Sequence, residues 1–145
     1  PMRRAQQTAR IISKKIKVDI EYNTNLREQD FGTWEGKKLI DIREQSPGEI
    51  ENQESRGWDF CPPKGESRVS VLKRVLTAVK EVNEKFDQKH VLVVSHSSVI
   101  KALIYKALDR SFTPGETPVL KDYHLHKIVW DKKMFVDKLN YIKLS

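Results

Sequence analysis

Residues 90–108 read HVLVVSHSSVIKALIYKAL, and this stretch decides the fold class. The run Val91-Leu-Val-Val94 is continuously apolar and rich in β-branched residues, which predicts a parallel strand buried on both faces. Apolar residues then recur at helical spacing from Val99 to Leu108, so a helix follows, with Ser97 or Ser98 as candidate N-cap. A buried strand that leads directly into a helix predicts an α/β sandwich.

His96 lies between this strand and this helix. In open α/β sheets, ligands bind at the carboxyl ends of the strands. The helix start adds unpaired N–H groups and a positive dipole end, which suit an anion such as phosphate. An imidazole there carries a further positive charge or moves a proton. The alternative is a histidine that only makes a hydrogen bond at a strand end. A nucleophilic serine is disfavoured, because no glycine-rich elbow surrounds Ser95 or Ser97.

Apolar periodicity predicts further elements on both sides of this junction. The clearest helix is predicted over Ser67–Phe86, and a basic amphipathic helix over Pro1–Val18. Two strands, Tyr123–Trp130 and Met134–Ile142, are predicted to form a hairpin joined near Asp131-Lys132-Lys133.

The composition indicates one globular domain with a basic bias. The chain has 145 residues and a net charge of +7, from 27 Lys and Arg against 20 Asp and Glu. No apolar run approaches the ~20 residues of a membrane helix. The single cysteine, Cys61, excludes an internal disulfide and fits a reducing compartment, so we expect a cytoplasmic protein. The basic residues of Pro1–Val18 form a solvated face, a transit peptide or a phosphate-facing arginine, and composition does not separate these readings.

Several other residues are candidates for chemistry, each with a simpler interpretation. Glu28 lies in a polar loop between apolar anchors and is either a general acid or an ordinary solvated carboxylate; Asp30 and Glu35 are equally ambiguous. His124 and His126 lie on one face of a predicted strand, which is compatible with a metal, but no third ligand completes the set. We therefore expect no metal.

Three segments, in this order, resemble motifs of the histidine phosphatase superfamily, the phosphoglycerate mutase-like proteins. Residues 1–9, PMRRAQQTA, resemble the R-A-x-Q-T-A helix start, and residues 26–36, LREQDFGTWEG, resemble L-x-E-x-x-F-G-x-W-E-G. Residues 93–103, VVSHSSVIKAL, resemble V-S-H-G-G-V-I-R-A-L. Gly65-Glu66-Ser67 fits the G-E-S of the phosphatase branch. The resemblance implies a three-layer α/β/α sandwich.

The resemblance also implies roles for individual residues. Arg4 matches a phosphate-clamping arginine, and Glu28 matches the carboxyl that protonates the leaving oxygen. His96 matches the second histidine, which hydrogen-bonds the phosphoryl group, and Ser97 follows it in the substrate-binding position where the family has glycine. The implied function is hydrolysis of a small phosphorylated metabolite through phosphohistidine, with no metal or organic cofactor and no nucleic acid or membrane partner.

One defining motif, R-H-G, is absent. In the family it supplies the nucleophilic histidine and the first clamping arginine, at the end of a central strand beside the one preceding the second histidine. We therefore expect residues 1–145 to be an incomplete record of a single domain of roughly 200 residues, a usual domain size. Without that first strand, Val91–Val94 is expected to leave an apolar edge exposed.

Other functions remain open at this stage. The absent motif raises the alternative of a non-catalytic member that binds phosphate or a phosphoprotein, and a phosphoglycerate mutase is less favoured. The charge raises a nucleic-acid-binding module, although no such motif is present. The segment Lys37–Lys64 is expected to cover the pocket, with Arg56, Trp58 and Phe60 as candidate substrate contacts.

Overall fold

The protein is described by a computed structural model over residues 1–86, 90–131 and 133–144. Five α-helices and one two-stranded sheet are assigned within these ranges. In chain order they are α1 (Arg3–Ile16), α2 (Leu39–Gln45), α3 (Glu49–Ser55), α4 (Arg68–Lys85), α5 (Ser97–Ala107), β1 (His124–Trp130) and β2 (Met134–Lys143). Short 3-10 turns lie at Thr24–Leu26, Gly32–Trp34 and Gly57–Asp59.

The main core lies between α4 and α5. The predicted long helix is confirmed as α4, and its N-cap Ser67 accepts a hydrogen bond from the Ser70 backbone N–H at 3.1 Å. Apolar residues three and four positions apart on α4 face those of α5, because that spacing places them on one side of each helix. The buried members of this cluster are Val71, Val75, Val99, Ala102 and Leu103.

The predicted hairpin is also confirmed. β1 and β2 pair antiparallel, from His124 opposite Lys143 to Trp130 opposite Met134, with register shifts around Lys127. Ile128 and Met134 pack against the α4–α5 core, which fixes the hairpin to the rest of the chain. Lys132, in the predicted turn, lies outside the described residues.

The prediction of a buried strand at Val91–Val94 is wrong for the described residues. No strand is assigned there, and Val91, Leu92 and Val93 are 45%, 50% and 43% exposed. A strand exists through hydrogen bonds to a neighbour, and none of the described segments pairs with this one. The expectation that these residues lack a first strand beside this segment stays a prediction. His96 itself is the N-cap of α5, one residue before the predicted serines, and its side chain caps nothing.

Helix α1 confirms the predicted basic amphipathic helix, but none of its residues is buried. A groove of about 550 Å³ lies between α1 and the segment 90–94, and His96 is among its lining residues. None of the described helices is long and apolar enough to cross a membrane. Apolar side chains of α1 and α4 line much of the groove: Ala5, Ala9, Ile12, Ile16 and Val82.

Candidate active site

The structure brings Arg4, Glu28 and His96 together from three distant parts of the sequence. Arg4 lies in the first turn of α1, Glu28 in the loop after the Thr24–Leu26 turn, and His96 at the start of α5. The Arg4 Nη2 atom is 3.9 Å from the Glu28 Oε2 atom. The charges of both residues act on the His96 imidazole. A cation, a carboxyl group and an imidazole therefore share one site.

His96 is 6% exposed, and its surroundings favour the neutral imidazole. Burial lowers the pKa of His96, because a charged ring loses hydration there; the Glu28 carboxylate opposes this shift, and the Arg4 guanidinium adds to it. The neutral ring keeps one N–H donor for a ligand oxygen.

The backbone that carries Glu28 is held by side chains from two other segments. The Arg74 guanidinium, on α4, donates to three carbonyls of this loop, and the Ser95 hydroxyl donates to a fourth. Four consecutive carbonyls are thereby bound, so the position of Glu28 is set by α4 and by the residue beside His96. The acceptors are Asn25 (2.6 Å), Leu26 (2.8 Å, from Ser95), Arg27 (2.8 Å) and Glu28 (3.2 Å).

Glu66 neutralises Arg74 in a largely buried ion pair. The Arg74 Nε and Nη2 atoms lie 2.7 and 2.9 Å from the two carboxylate oxygens, and the side chains are 9% and 12% exposed. Burial alone raises the pKa of Glu66, but the hydrogen bonds and charge of Arg74, helped by Arg27, outweigh it and lower the pKa. Glu66 therefore stays ionised. Its backbone also holds the loop, since its carbonyl accepts from the Gln29 side chain at 2.7 Å.

A cavity of about 380 Å³ adjoins the site. Gln29 and Ser97 line it, and they directly follow Glu28 and His96 in the sequence. Its lining is mixed: about half of the lining residues are aromatic or aliphatic, and the others include glutamates, lysines, an arginine and serines. The aromatic lining residues are Phe31, Trp34, Phe60 and Phe112, and the lysines are Lys37 and Lys101.

Arg68 fixes one wall of this cavity. Its guanidinium carbon lies 4.1 Å from the ring centroids of both Phe60 and Phe112, a cation–π contact with each ring. The same guanidinium donates to the Gly57 and Phe112 carbonyls, at 3.0 Å each. Burial lowers the pKa of Arg68, although a guanidinium remains protonated. Gly57 has a φ of 58°, and a Cβ there would overlap the Ser111 carbonyl, so this close approach requires glycine.

The predicted substrate contacts divide into two groups. Phe60 and Ser97 line the cavity, whereas Arg56 and Trp58 do not. Trp58 instead donates from Nε1 to the Arg110 carbonyl at 2.7 Å and packs edge-on against Phe112, so its role is packing.

Sequence reasoning missed Arg68 and Arg74. Each is one basic residue in a helix rich in them, and helical periodicity alone does not reveal the partners of a charged side chain. One signal was present for Arg74: Glu66, its ion-pair partner, lies eight residues earlier in the Gly65-Glu66-Ser67 motif.

His124 and His126 each use one ring nitrogen in a contact with the backbone. The His124 Nδ1 atom is 2.7 Å from the Asp122 carbonyl, and the His126 Nδ1 atom accepts from the Asn140 N–H at 3.2 Å. Within residues 1–86, 90–131 and 133–144, no three His, Cys, Asp or Glu side chains are grouped to hold a metal ion. Cys61 is a free, half-buried thiol near the Pro62 and Gly65 carbonyls.

Comparison with known proteins gives a family for this chain. The sequence profile of the histidine phosphatase superfamily (branch 1) matches residues 1–141. A Mycobacterium tuberculosis relative, "Bifunctional protein Rv2228c", is 35% identical over 109 residues, which are 75% of this chain and 30% of that protein. A Bacillus subtilis relative, "Uncharacterized phosphatase PhoE", is 28% identical over 104 residues, 72% of this chain and 48% of that protein. The chain thus spans less than half of each of these relatives.

A solved structure has the same fold. "Bacillus stearothermophilus YhfR" superposes with a TM-score of 0.81 and 27% identity, covering 99% of this chain and 71% of that one. Such coverage extends the likeness beyond the three motifs to the whole described chain.

Proposed function

Because the chain belongs to the histidine phosphatase superfamily and has its phosphoglycerate mutase-like α/β fold, we propose that it forms most of the catalytic domain of a phosphomonoesterase. The reaction transfers a phosphoryl group from a small phosphorylated metabolite to a histidine, and then from that histidine to water. The single free cysteine is consistent with a cytoplasmic setting.

The convergence of Arg4, Glu28 and His96 carries this proposal. Phosphoryl transfer develops charge on three equatorial oxygens, and positioned donors around them lower the barrier. The Arg4 fork and the His96 N–H supply such donors. Glu28 gives a proton to the leaving oxygen, because an alkoxide is a poor leaving group.

We assign the nucleophilic histidine to a segment outside these 145 residues that lies in the groove between α1 and residues 90–94. Three features support this assignment: the groove is lined mostly by apolar side chains, His96 is among its lining residues, and the apolar residues Val91–Val93 beside it are exposed. A strand placed there would pair the free backbone of residues 91–94 and cover those side chains.

The test uses the protein expressed from its complete reading frame, with p-nitrophenyl phosphate and no added metal. We expect steady hydrolysis, and a loss of about a hundredfold or more in kcat for His96→Asn and for Arg4→Gln, the scale of removing one positioned donor. Arg3→Gln is the matched control: it removes the exposed neighbouring arginine and should change kcat less than twofold. Complete dependence on a divalent cation, or full activity in His96→Asn, contradicts the proposal.

The covalent intermediate has its own measurement. Rapid denaturation during turnover of radiolabelled substrate should give labelled protein whose label is stable in base and lost in acid, as expected of phosphohistidine. Hydrolysis without such a label excludes the intermediate. Phosphate binding without any turnover identifies instead the non-catalytic phosphate-binding member raised by the sequence.

A further inference from the structure

We propose that Arg74 and Ser95 are positioning residues that hold the Glu28 carboxyl group at a fixed place relative to His96. This inference rests on the proposed role of Glu28 as the acid that protonates the leaving oxygen. Neither residue touches the substrate; each acts through the backbone of the loop that carries Glu28.

The hydrogen bonds of Arg74 are directed at the loop. Its two terminal nitrogens donate to the carbonyls of Asn25, Arg27 and Glu28, at 2.6, 2.8 and 3.2 Å. The last of these acceptors belongs to the acid itself. Apart from the short turn at Thr24–Leu26, this segment has no regular hydrogen bonding of its own, so donors from elsewhere help to fix where its backbone lies.

Arg74 is itself firmly located. It lies on α4 between Val71 and Val75, which are 1% and 0% exposed, so its Cα position is set by the main core. Its guanidinium donates two short hydrogen bonds to the Glu66 carboxylate. Because the group is planar, these bonds also fix the directions of its remaining N–H groups. Because the core fixes the position of Arg74, its rigid planar guanidinium in turn fixes the position of the Glu28 backbone.

Ser95 links the acid to the imidazole. Its hydroxyl donates to the Leu26 carbonyl at 2.8 Å, two residues before Glu28, and its own backbone continues directly into His96. One hydrogen bond therefore spans the two loops that carry the proposed catalytic groups. A displacement of either loop strains this bond.

Loss of this positioning should slow some phosphate esters more than others. A misplaced acid impairs only those esters whose leaving oxygen needs a proton. An alkoxide needs one, whereas p-nitrophenolate leaves as a stable anion. A purely structural defect would slow both kinds of ester equally.

The experiment measures kcat/KM for β-glycerophosphate and for p-nitrophenyl phosphate with the protein from its complete reading frame, because kcat/KM reports the transfer from ester to histidine and not the later hydrolysis step that both esters share. We expect Arg74→Gln to lower kcat/KM at least tenfold for the alkyl ester and less than threefold for the aryl ester, since a misplaced acid loses part of the ~10²–10⁴-fold contribution of acid catalysis. Arg74→Lys should recover little, because an ammonium lacks the planar fork. Lys73→Gln, an exposed residue of the same helix, is the control and should leave both rates unchanged.

The variant Glu28→Gln tests the proposed acid role of Glu28 separately from the positioning role of Arg74. If Glu28→Gln slows both esters equally, the proposed acid role fails, and this inference fails with it. If Glu28→Gln is selective and Arg74→Gln is not, the positioning role alone is overturned. If both are selective, the double variant should be no slower than Glu28→Gln, since Arg74 acts only through that carboxyl group.

Ser95→Ala keeps the test decisive if Arg74→Gln does not fold. It removes one hydrogen bond from a half-buried hydroxyl and leaves the Arg74–Glu66 pair intact. We expect the same selectivity between esters, with a loss of about three- to tenfold for the alkyl ester, the scale of one hydrogen bond. Equal effects on both esters in Ser95→Ala would overturn the proposal.

Discussion

The two sides of the candidate active site are built differently. On one side, the loop that carries Glu28 has four consecutive carbonyls bound by Arg74 and Ser95. On the other, Arg4 is on α1, which has no buried residue, and its side chain is 62% exposed. Glu28, the proposed acid, is thus positioned by residues of the main core, whereas Arg4, the proposed phosphate-binding residue, is on a helix that the described residues leave unburied.

The largest expected effect comes from breaking the ion pair behind the loop. Arg74→Met leaves the Glu66 carboxylate largely buried without its main partner, which should lower the free energy of unfolding by about 3 kcal/mol. Urea denaturation of the protein from its complete reading frame measures this. Arg43→Met removes the partner of the exposed Glu51 and is the matched control, with no measurable change expected. Equal losses in both variants would contradict the expectation that the buried pair behind the Glu28 loop contributes more to stability than an exposed pair does.

A smaller effect should separate the packing of α4 from that of α1. Val75→Ala removes two methyl groups from a fully buried position, which should cost about 2 kcal/mol of stability. Ile11→Ala, at a position of α1 that is 70% exposed, should change stability by less than about 0.5 kcal/mol. The same denaturation curves give both values. A cost for Ile11→Ala equal to that for Val75→Ala would mean that α1 is packed as tightly as α4.

The smallest effect concerns His96 and pH. Burial lowers its pKa from the ordinary value of 6.5, so the unfolded chain binds this proton more readily than the folded one. Stability should therefore fall as the pH drops through about 6.5 and on towards the folded-state pKa. In His96→Asn this part of the pH dependence should disappear, whereas the exposed His90→Asn should keep it. Urea midpoints between pH 8 and pH 5 measure the difference, and identical slopes in all three proteins would refute it.

Periodicity in the sequence was sufficient to predict α4 and α5, because each buries a regular face, and the strand propensities with the polar turn between them were sufficient to predict the hairpin. It also placed His96 at a helix start, where a strand-like run gives way to helical spacing. Arg4 and Glu28 came from a resemblance in motifs, and the 3.9 Å between their side chains could only be seen in three dimensions. Their catalytic roles stay predictions.

The strand predicted at Val91–Val94 was wrong because a local stretch of sequence does not show whether a strand has a partner. Its β-branched residues favour an extended chain, but a strand requires a partner, and no described residue supplies one. Arg74 is a related case, since its five hydrogen-bond contacts reach residues 8 to 49 positions away, and no short sequence window contains them all.

The contacts of Arg68 have a consequence for the wall of the cavity. The Arg68 guanidinium donates to the backbone carbonyls of Gly57 and Phe112 and contacts the rings of Phe60 and Phe112. Separating the two segments would break both hydrogen bonds and both cation–π contacts, so we expect them to move together. This part of the cavity wall should therefore keep its shape when a ligand enters.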